Sequence, residues 1–469
     1  MPAVPSIRPA RGLLVALAAA GVAAASAARA AEAPGAAAVR PMSVVQELVR
    51  AAPEGATVEV PAGTYRGELV IDRRVTLVGV GRPVFDGGGN GDIVTIRAAG
   101  AQLRGFVVRG TGTDLDKENC AVRVHAPGVV IEDNDLDDVL FGIDLHEAPD
   151  SVIRRNRIGG KPLDIARRGD GLRLWRADRT IVEENSIHDG RDAIIWYSTG
   201  VRVLRNRSFR CRYGFHLMYS NEVEVRENEL TENSVGVYLM YSARLRIEGN
   251  RIVRNRGPSG YGIGLKETDD FHIEENLLLG NCVGIYVDGS PFVTPDSGIV
   301  RRNTIAANDV GLALLPAVRG NQVWDNSFVD NVEQVAVQGR GTLRGNAFER
   351  EERGNFWSDY AGYDADADGV GEADYDARRL FENLVDRQPG LRIFLFSPAQ
   401  QAIEFVARAI PAVRPEVKFT DQYPLTEPPV MHRDAAAGGG SAGLAALAAT
   451  LGVAAGAVLV AGRMEGGRA

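Results

Sequence analysis

Cysteine is scarce in this 469-residue chain, which has three: Cys120, Cys211 and Cys282. An odd, widely spaced set argues against a disulfide framework and against a Cys-x-x-Cys metal site. Each reads as a small buried thiol. Positive charge is also short, with 53 Lys and Arg against 61 Asp and Glu and a net charge of −8. That balance argues against nucleic acid as a partner, because phosphate binding needs a basic surface. Methionine is sparse too, six residues including the first, so a Met that repeats in register stands out. Glycine is plentiful at 54 residues, many of them in recurring positions, which points to repeats.

The two ends differ from the middle. Arg8 and Arg11 precede an apolar run, Leu13 to Ala25, and Ala28-Arg29-Ala30 follows as a small-x-small site. This pattern predicts a signal peptide over 1–30 and export of the rest. At the other end, residues 442–462 are uncharged and are followed by Arg463. The run is just long enough to span a bilayer, and the positive-inside rule would place Arg463 in the cytoplasm. Gly438-Gly439-Gly440-Ser441 before it also fits a C-terminal sorting signal. Both readings, membrane anchor and sorting signal, stay open. Residues 431–441 read as a flexible linker.

Between the ends a pattern recurs. Asn follows a short alternating segment at 134, 156, 185, 206, 228, 250, 276, 303, 326 and 346. Gly214, Gly236 and Gly284 fall eight residues after their Asn, and Asn233, Asn255, Asn281, Asn308 and Asn331 fall five after theirs. A period in the low twenties with short β segments means a solenoid. Alternation after each Gly predicts a strand with one buried face, carrying Phe215, Leu217, Val237, Leu239, Ile263, Leu265, Ile285 and Val287 inward. Asn at a fixed corner fits a ladder, since Asn tolerates left-handed backbone and bonds main chain. Val and Ile are as common as Leu at the inward positions, so a leucine-rich repeat fits less well. The prediction is an all-β, right-handed parallel β-helix of about 22-residue coils over 31–348. Ser43 to Ala51, with Val44, Val45 and Leu48 at helical spacing, is expected to cap its open end. A small mixed tail, 349–430, holds an acidic loop and a helix from Ser397 to Ala409 stopped by Pro411.

Three places can carry chemistry. Met218 and Met240 share one offset, 12 residues after Asn206 and Asn228. They should stack on adjacent coils about 4.8 Å apart, facing outward. His216 shares that face, with Tyr238 stacked on it. Thioether plus imidazole suits Cu(I), while an apolar docking surface explains exposed Met equally well. The same offset places His146, Trp175, Tyr197, Lys266 and Asp288 on this row, and Trp and Tyr in a row signal an interface. The second place is Asp364-x-Asp366-x-Asp368-Gly369, followed by Glu372. It resembles a calcium loop whose twelfth position, Tyr375, lacks the bidentate Glu. The third is polysaccharide chemistry, which needs clustered carboxylates or a carboxylate with Arg or Lys. Asp144, Asp170 and Asp192 are its candidates, and none is expected to form an adjacent pair on one strand face.

Tyr213-Gly214-Phe215-His216-Leu217-Met218-Tyr219-Ser220 and Gly236-Val237-Tyr238-Leu239-Met240-Tyr241-Ser242 resemble the paired Met-Tyr-Ser coils of the NosD family. Gly354-Asn355-Phe356-Trp357-Ser358-Asp359-Tyr360, the acidic loop and Ser397-Pro398-Ala399 resemble the tail of that family. The likeness runs from about Val44 to Pro429. It implies a periplasmic, non-enzymatic accessory protein of nitrous oxide reductase maturation, with copper as its cargo. The implied partners are the permease and ATPase of an ABC transporter, a membrane-anchored copper chaperone and the reductase, whose copper-sulfide centre is assembled. Met218, Met240 and His216 would be a transient Cu(I) site, and calcium is a candidate for the acidic loop. The apolar segment 442–462 departs from the family pattern. The competing expectation is a secreted β-helix that cleaves or binds carbohydrate.

Overall fold

The computed structural model describes residues 39–429 apart from 340, 379, 396 and 411–416. The expected leader (1–30), linker (431–441) and C-terminal apolar segment (442–462) lie outside the described residues. Among the described residues, no helix is long and apolar enough to cross a membrane.

The alternation and the corner residues build a parallel β-solenoid. Its walls are three parallel sheets of 14, 12 and 12 strands, each strand pairing with the one a full coil earlier and later. Register is one coil per step: Phe215 pairs with Val237 and Val237 with Ile263, and Leu217 pairs with Leu239 and Leu239 with Leu265. The eight residues predicted to face inward are all buried, as one continuous core running along the axis.

The corner works differently from the sequence expectation. The left-handed residue is not the Asn but the one before it, as at Arg155, Glu184, Arg205 and Glu227, with φ between 51° and 59°. These side chains point to solvent and alternate in charge, so Arg155 meets Asp133 at 2.8 Å and Arg205 meets Glu184 at 3.3 Å. The Asn that follows turns inward and is buried. The backbone N–H of Asn206 donates to Asn228 Oδ1 at 2.8 Å, and Asn206 Nδ2 donates to Val182 O at 2.9 Å and Asn228 Oδ1 at 3.0 Å. One side chain therefore ties its own coil to the coils on both sides. This ladder runs through Asn303 and Asn326 to Asn355. Asn346 does not belong to it: its Oδ1 accepts from Asn321 N at another corner. A second ladder runs from Asn233 to Asn331, and Cys211 occupies its first slot, donating its backbone N–H to Asn233 Oδ1 at 2.9 Å.

Both ends of the core are covered. Helix α1 (Ser43–Ala51) buries Val45 and Val49, and Met42 just ahead of it is buried too, whereas Val44 and Leu48 are exposed. The covering face is thus the i, i+4 pair, and only Val45 of the three expected residues lies on it. At the far end, helix α2 (Leu380–Arg387) buries Phe381 and Val385 near the last inward strand, Glu333–Val337. The buried Lys418 ammonium lies 2.7 Å from both Glu333 and Asp386. Helix α3 (Pro398–Ala409) lies within the expected stretch and starts from a Ser397 N-cap. The Asn ladder itself ends on a carboxylate, since Asp421 Oδ2 accepts from Asn355 N and from Trp357 Nε1, each at 2.8 Å.

Two outcomes follow from this architecture. Asn228→Ala leaves buried donors and acceptors on two coils unpaired and should cost about 2–5 kcal/mol in urea unfolding, at roughly 1–3 kcal/mol for each orphaned group. Arg205→Ala, which removes an exposed pair, should cost under about 1 kcal/mol. Equal effects would mean that the ladder does not hold the coils. Burial pushes the Asp421 carboxyl up to about 6. A raised acid pKa gives stability that is full below the unfolded value and is lost as pH rises through the folded one. Relative to Asp421→Asn, the wild type should lose up to about 3 kcal/mol between pH 4 and pH 7; a gap that stays constant with pH would refute the assignment.

Candidate metal centre

The outward face of the sheet that contains Tyr213–Met218 and Val235–Met240 is built by close approach. A Cβ on Gly214 would lie 2.5 Å from the Gly236 carbonyl oxygen, and one on Gly236 would lie 2.5 Å from that of Gly262. Only glycine lets the coils approach there. That contact fixes the register of everything downstream in the strand. His216 pairs with Tyr238, and Met218 with Met240.

The Met-Tyr-Ser tripeptide now has a physical meaning. Met ends the strand on the outward side. Tyr is left-handed, with φ of 51° at Tyr219 and 52° at Tyr241. Tyr197, Tyr219 and Tyr241 stack with centroids 5.1 and 5.0 Å apart, and Tyr197 and Tyr219 are largely exposed. Ser turns inward: Ser220 Oγ donates to Ile195 O at 3.0 Å and accepts from Ser198 N at 3.2 Å. The serines are thus a short ladder of their own, and Met and Tyr are displayed by it.

The row beside Met218 differs at one place from the expected one. Trp196, not Tyr197, is the register partner of Met218. The coil from Asn185 is a residue short and its register shifts between Asp192 and Ile194, so counting forward from Asn misplaces this position. The signal was present in Trp196-Tyr197-Ser198, which repeats the frame of both Met-Tyr-Ser triplets. The row reads His146, Trp175, Trp196, Met218, Met240, Lys266, Asp288.

His216 is nearly buried although it faces outward. Tyr213 packs edge-on against its ring at 5.0 Å, and Tyr238 stacks on it at 6.1 Å. Its Nε2 lies 3.2 Å from Met240 Sδ. Nitrogen and sulfur donors bound at about 2.0 and 2.3 Å to one ion stand roughly 3–4 Å apart, so the two atoms fit a shared ion. On the other side, His216 Nδ1 lies 3.8 Å from Asp192 Oδ2, an ion-pair rather than a hydrogen-bond distance. Burial alone would raise the Asp192 carboxyl, but His216 and Arg212 outweigh it and hold that group below the usual range. Burial raises the phenols of Tyr213 and Tyr238, so both stay neutral at physiological pH.

The other candidates resolve as follows. Asp144 is buried between Arg123, at 2.6 Å, and Arg173, at 2.9 Å. Asp170 pairs with Arg191 at 3.1 Å, and Asp192 with Arg212. Asp170 and Asp192 lie within electrostatic reach of each other. Burial first, and the Asp192 charge among lesser causes, push the Asp170 carboxyl up to about 6. In the acidic loop, Asp364, Asp366 and Glu372 bring one carboxylate oxygen each within 4.8 Å of one another. Their oxygens already accept loop amides, as Asp364 does from Ala367 N at 2.7 Å and Gly369 N at 2.9 Å. Cys120 and Cys211 are buried, and burial raises both thiols, that of Cys211 to about 11, which makes them poor ligands at neutral pH.

Comparison with known proteins shows the family of the chain. A family model described as "Periplasmic copper-binding protein (NosD)" matches residues 154–362. The "Probable ABC transporter binding protein NosD" of Pseudomonas aeruginosa is 30% identical over 383 residues, covering 78% of this chain and 87% of that one. The protein of the same description in Stutzerimonas stutzeri is 30% identical over 131 residues, covering 28% and 29%. Among solved structures, the A-module of the Azotobacter vinelandii mannuronan C-5 epimerase AlgE6 is 15% identical, with coverage of 65% and 93% and a TM-score of 0.43. With the doubled Met-Tyr-Ser coils and an identity that spans most of both chains, this protein belongs to the NosD family.

Proposed function

We propose that this chain works in the periplasm as a non-catalytic copper-handling partner of an ABC transporter, and that His216, Met218 and Met240 are its Cu(I) site. The observation that carries the reading is the approach of His216 Nε2 to Met240 Sδ, 3.2 Å apart on an outward face with Met218 in register beside them. Imidazole and thioether are soft enough to take Cu(I) and lie poorly with hard cations. Three neutral donors bind a monovalent soft ion without requiring a deprotonated thiol. A site at the surface, rather than inside the core, leaves room for ligand exchange with a donor or an acceptor protein. Copper is cargo in this scheme. The family description names a periplasmic copper-binding protein, and the Pseudomonas relative is named as an ABC transporter binding protein.

The finer partners belong to the same proposal. A membrane-anchored chaperone would deliver copper, the permease and ATPase would supply the work, and nitrous oxide reductase would receive the metal for its copper-sulfide centre. Tyr197 and Tyr219, exposed beside the site and stacked in line with the half-buried Tyr241, give such a partner an aromatic surface to pack on. Asp192 is a positioning residue, because its carboxylate faces the far nitrogen of His216 at 3.8 Å and its charge favours the tautomer that carries a proton there. The acidic loop would hold calcium through Asp364, Asp366 and Glu372, a separate and structural role. Carbohydrate chemistry fits less well, because Asp144, Asp170 and Asp192 are each neutralised by Arg.

Anaerobic Cu(I) titration against a chromophoric chelator tests the site. Met218→Leu/Met240→Leu keeps the apolar volume and removes the sulfur, and should weaken Cu(I) binding at least about 100-fold, each thioether contributing roughly a factor of ten or more. Unchanged binding would end the assignment and leave the face as a docking surface. Asp192→Asn should weaken Cu(I) about 10-fold or more while His216, Met218 and Met240 remain in place. An affinity equal to wild type would show that Asp192 only anchors Arg212.

A further inference from the structure

The row that carries the Met pair continues, beyond Trp175, into two imidazoles. His125 follows Val124, the register partner of Leu145, and His146 follows Leu145, so the two histidines occupy the same outward position on adjacent coils. Their ring centroids are 5.7 Å apart with planes inclined at 58°. Nitrogen–metal bonds of about 2.0 Å put the centroids of two imidazoles on one ion roughly 5–6 Å apart. His125 is exposed and His146 half-buried, so an ion can reach both from solvent. The far side of His146 is closed by Trp175, whose ring packs edge-on at 4.2 Å and limits the directions the imidazole can take.

The electrostatics beneath the pair are already balanced. Arg123 lies between Asp92, at 2.7 Å, and Asp144, at 2.6 Å, so its charge is spent on carboxylates. Arg97, exposed at the next position of the row, is the neighbouring cation that an ion would feel.

We infer that His125 and His146 form a second metal site, separate from the thioether site and suited to Cu(II). Imidazole is a borderline ligand, and among first-row divalent ions Cu(II) binds such donors most tightly. Two rings would supply two nitrogens, and water would complete a tetragonal shell. Trp175 and Trp196 lie between this pair and Met218 on the row, so the same sheet face would present a harder station and a softer one on either side of an indole wall. The inference stands whether or not His216, Met218 and Met240 bind copper.

The test is electron paramagnetic resonance of the purified protein with one equivalent of Cu(II), with affinity measured against a competing chelator. Wild type should show one tetragonal Cu(II) species with superhyperfine coupling to two nitrogens. His125→Gln and His146→Gln should each lower affinity at least tenfold and lose the two-nitrogen pattern. Met218→Leu/Met240→Leu should leave the spectrum unchanged. The site is refuted if either His variant keeps the wild-type spectrum and affinity, or if the Met variant abolishes the signal. Circular dichroism melts of the His variants, expected to match wild type because both rings lie at the surface, keep loss of binding distinct from loss of fold.

Discussion

The side-chain amide of Asn206 reaches across two coil boundaries at once, to Val182 O behind it and to Asn228 ahead. Every rung of that ladder is buried, so an unpaired amide there would carry the full desolvation penalty. The constraint is strict: the next coil must place its own Asn at the same height, or two coils lose partners. A parallel sheet of three- to six-residue strands has little else to set its register, since a slip by one residue would turn core side chains to solvent. The ladder and the inward alternation therefore enforce the same answer from the corner and from the strand.

The candidate site inherits its geometry from this frame. Gly214 and Gly236 let adjacent backbones touch, and Ser198, Ser220 and Ser242 fasten the other end of the same strands. Between those two fixings, His216 and Tyr238 have nowhere to stand but over one another, and likewise Met218 and Met240. One coil of register keeps such a pair in contact, which is why residues 24 positions apart in sequence, His216 and Met240, meet in the candidate site. The ends need different solutions. There the ladder cannot continue, and Asp421, a buried carboxylate with no following coil, takes the place of the next Asn. A carboxylate accepts from several donors at once, which suits a rung that has only donors to satisfy.

Solenoid, inward rows and the Met pair were legible because they are periodic, and a period survives in one dimension. The errors arose where the period broke. The coil beginning at Asn185 is short by one, so Tyr197 took the place of Trp196 in the expected row. Asn346 kept the interval but belongs to another corner, because the coil after Asn326 is longer and closes at Asn355. The α1 face was misjudged because Val44, Val45 and Leu48 are as apolar as Val49, and only contact with the first coils decides which of them are buried. Asn was assigned the left-handed corner on propensity, whereas the corner went to charged neighbours that can stay in water.

The sequence alone determined the fold class, the coil length, the core residues and the stacking of Met218 on Met240, since all of these follow from spacing modulo a coil. It also carried the doubled motif by which the family is recognised. Tertiary structure alone decided which atoms converge. That His216 Nε2 turns to Met240 Sδ rather than to solvent depends on Tyr213, Tyr238 and Asp192 packing around the ring from three different coils. That Asp144 is spent on two arginines depends on distances across the sheet, and so does the contact of His125 with His146. Spacing fixes which residues can meet; side-chain direction, burial and the charges alongside settle which of them do.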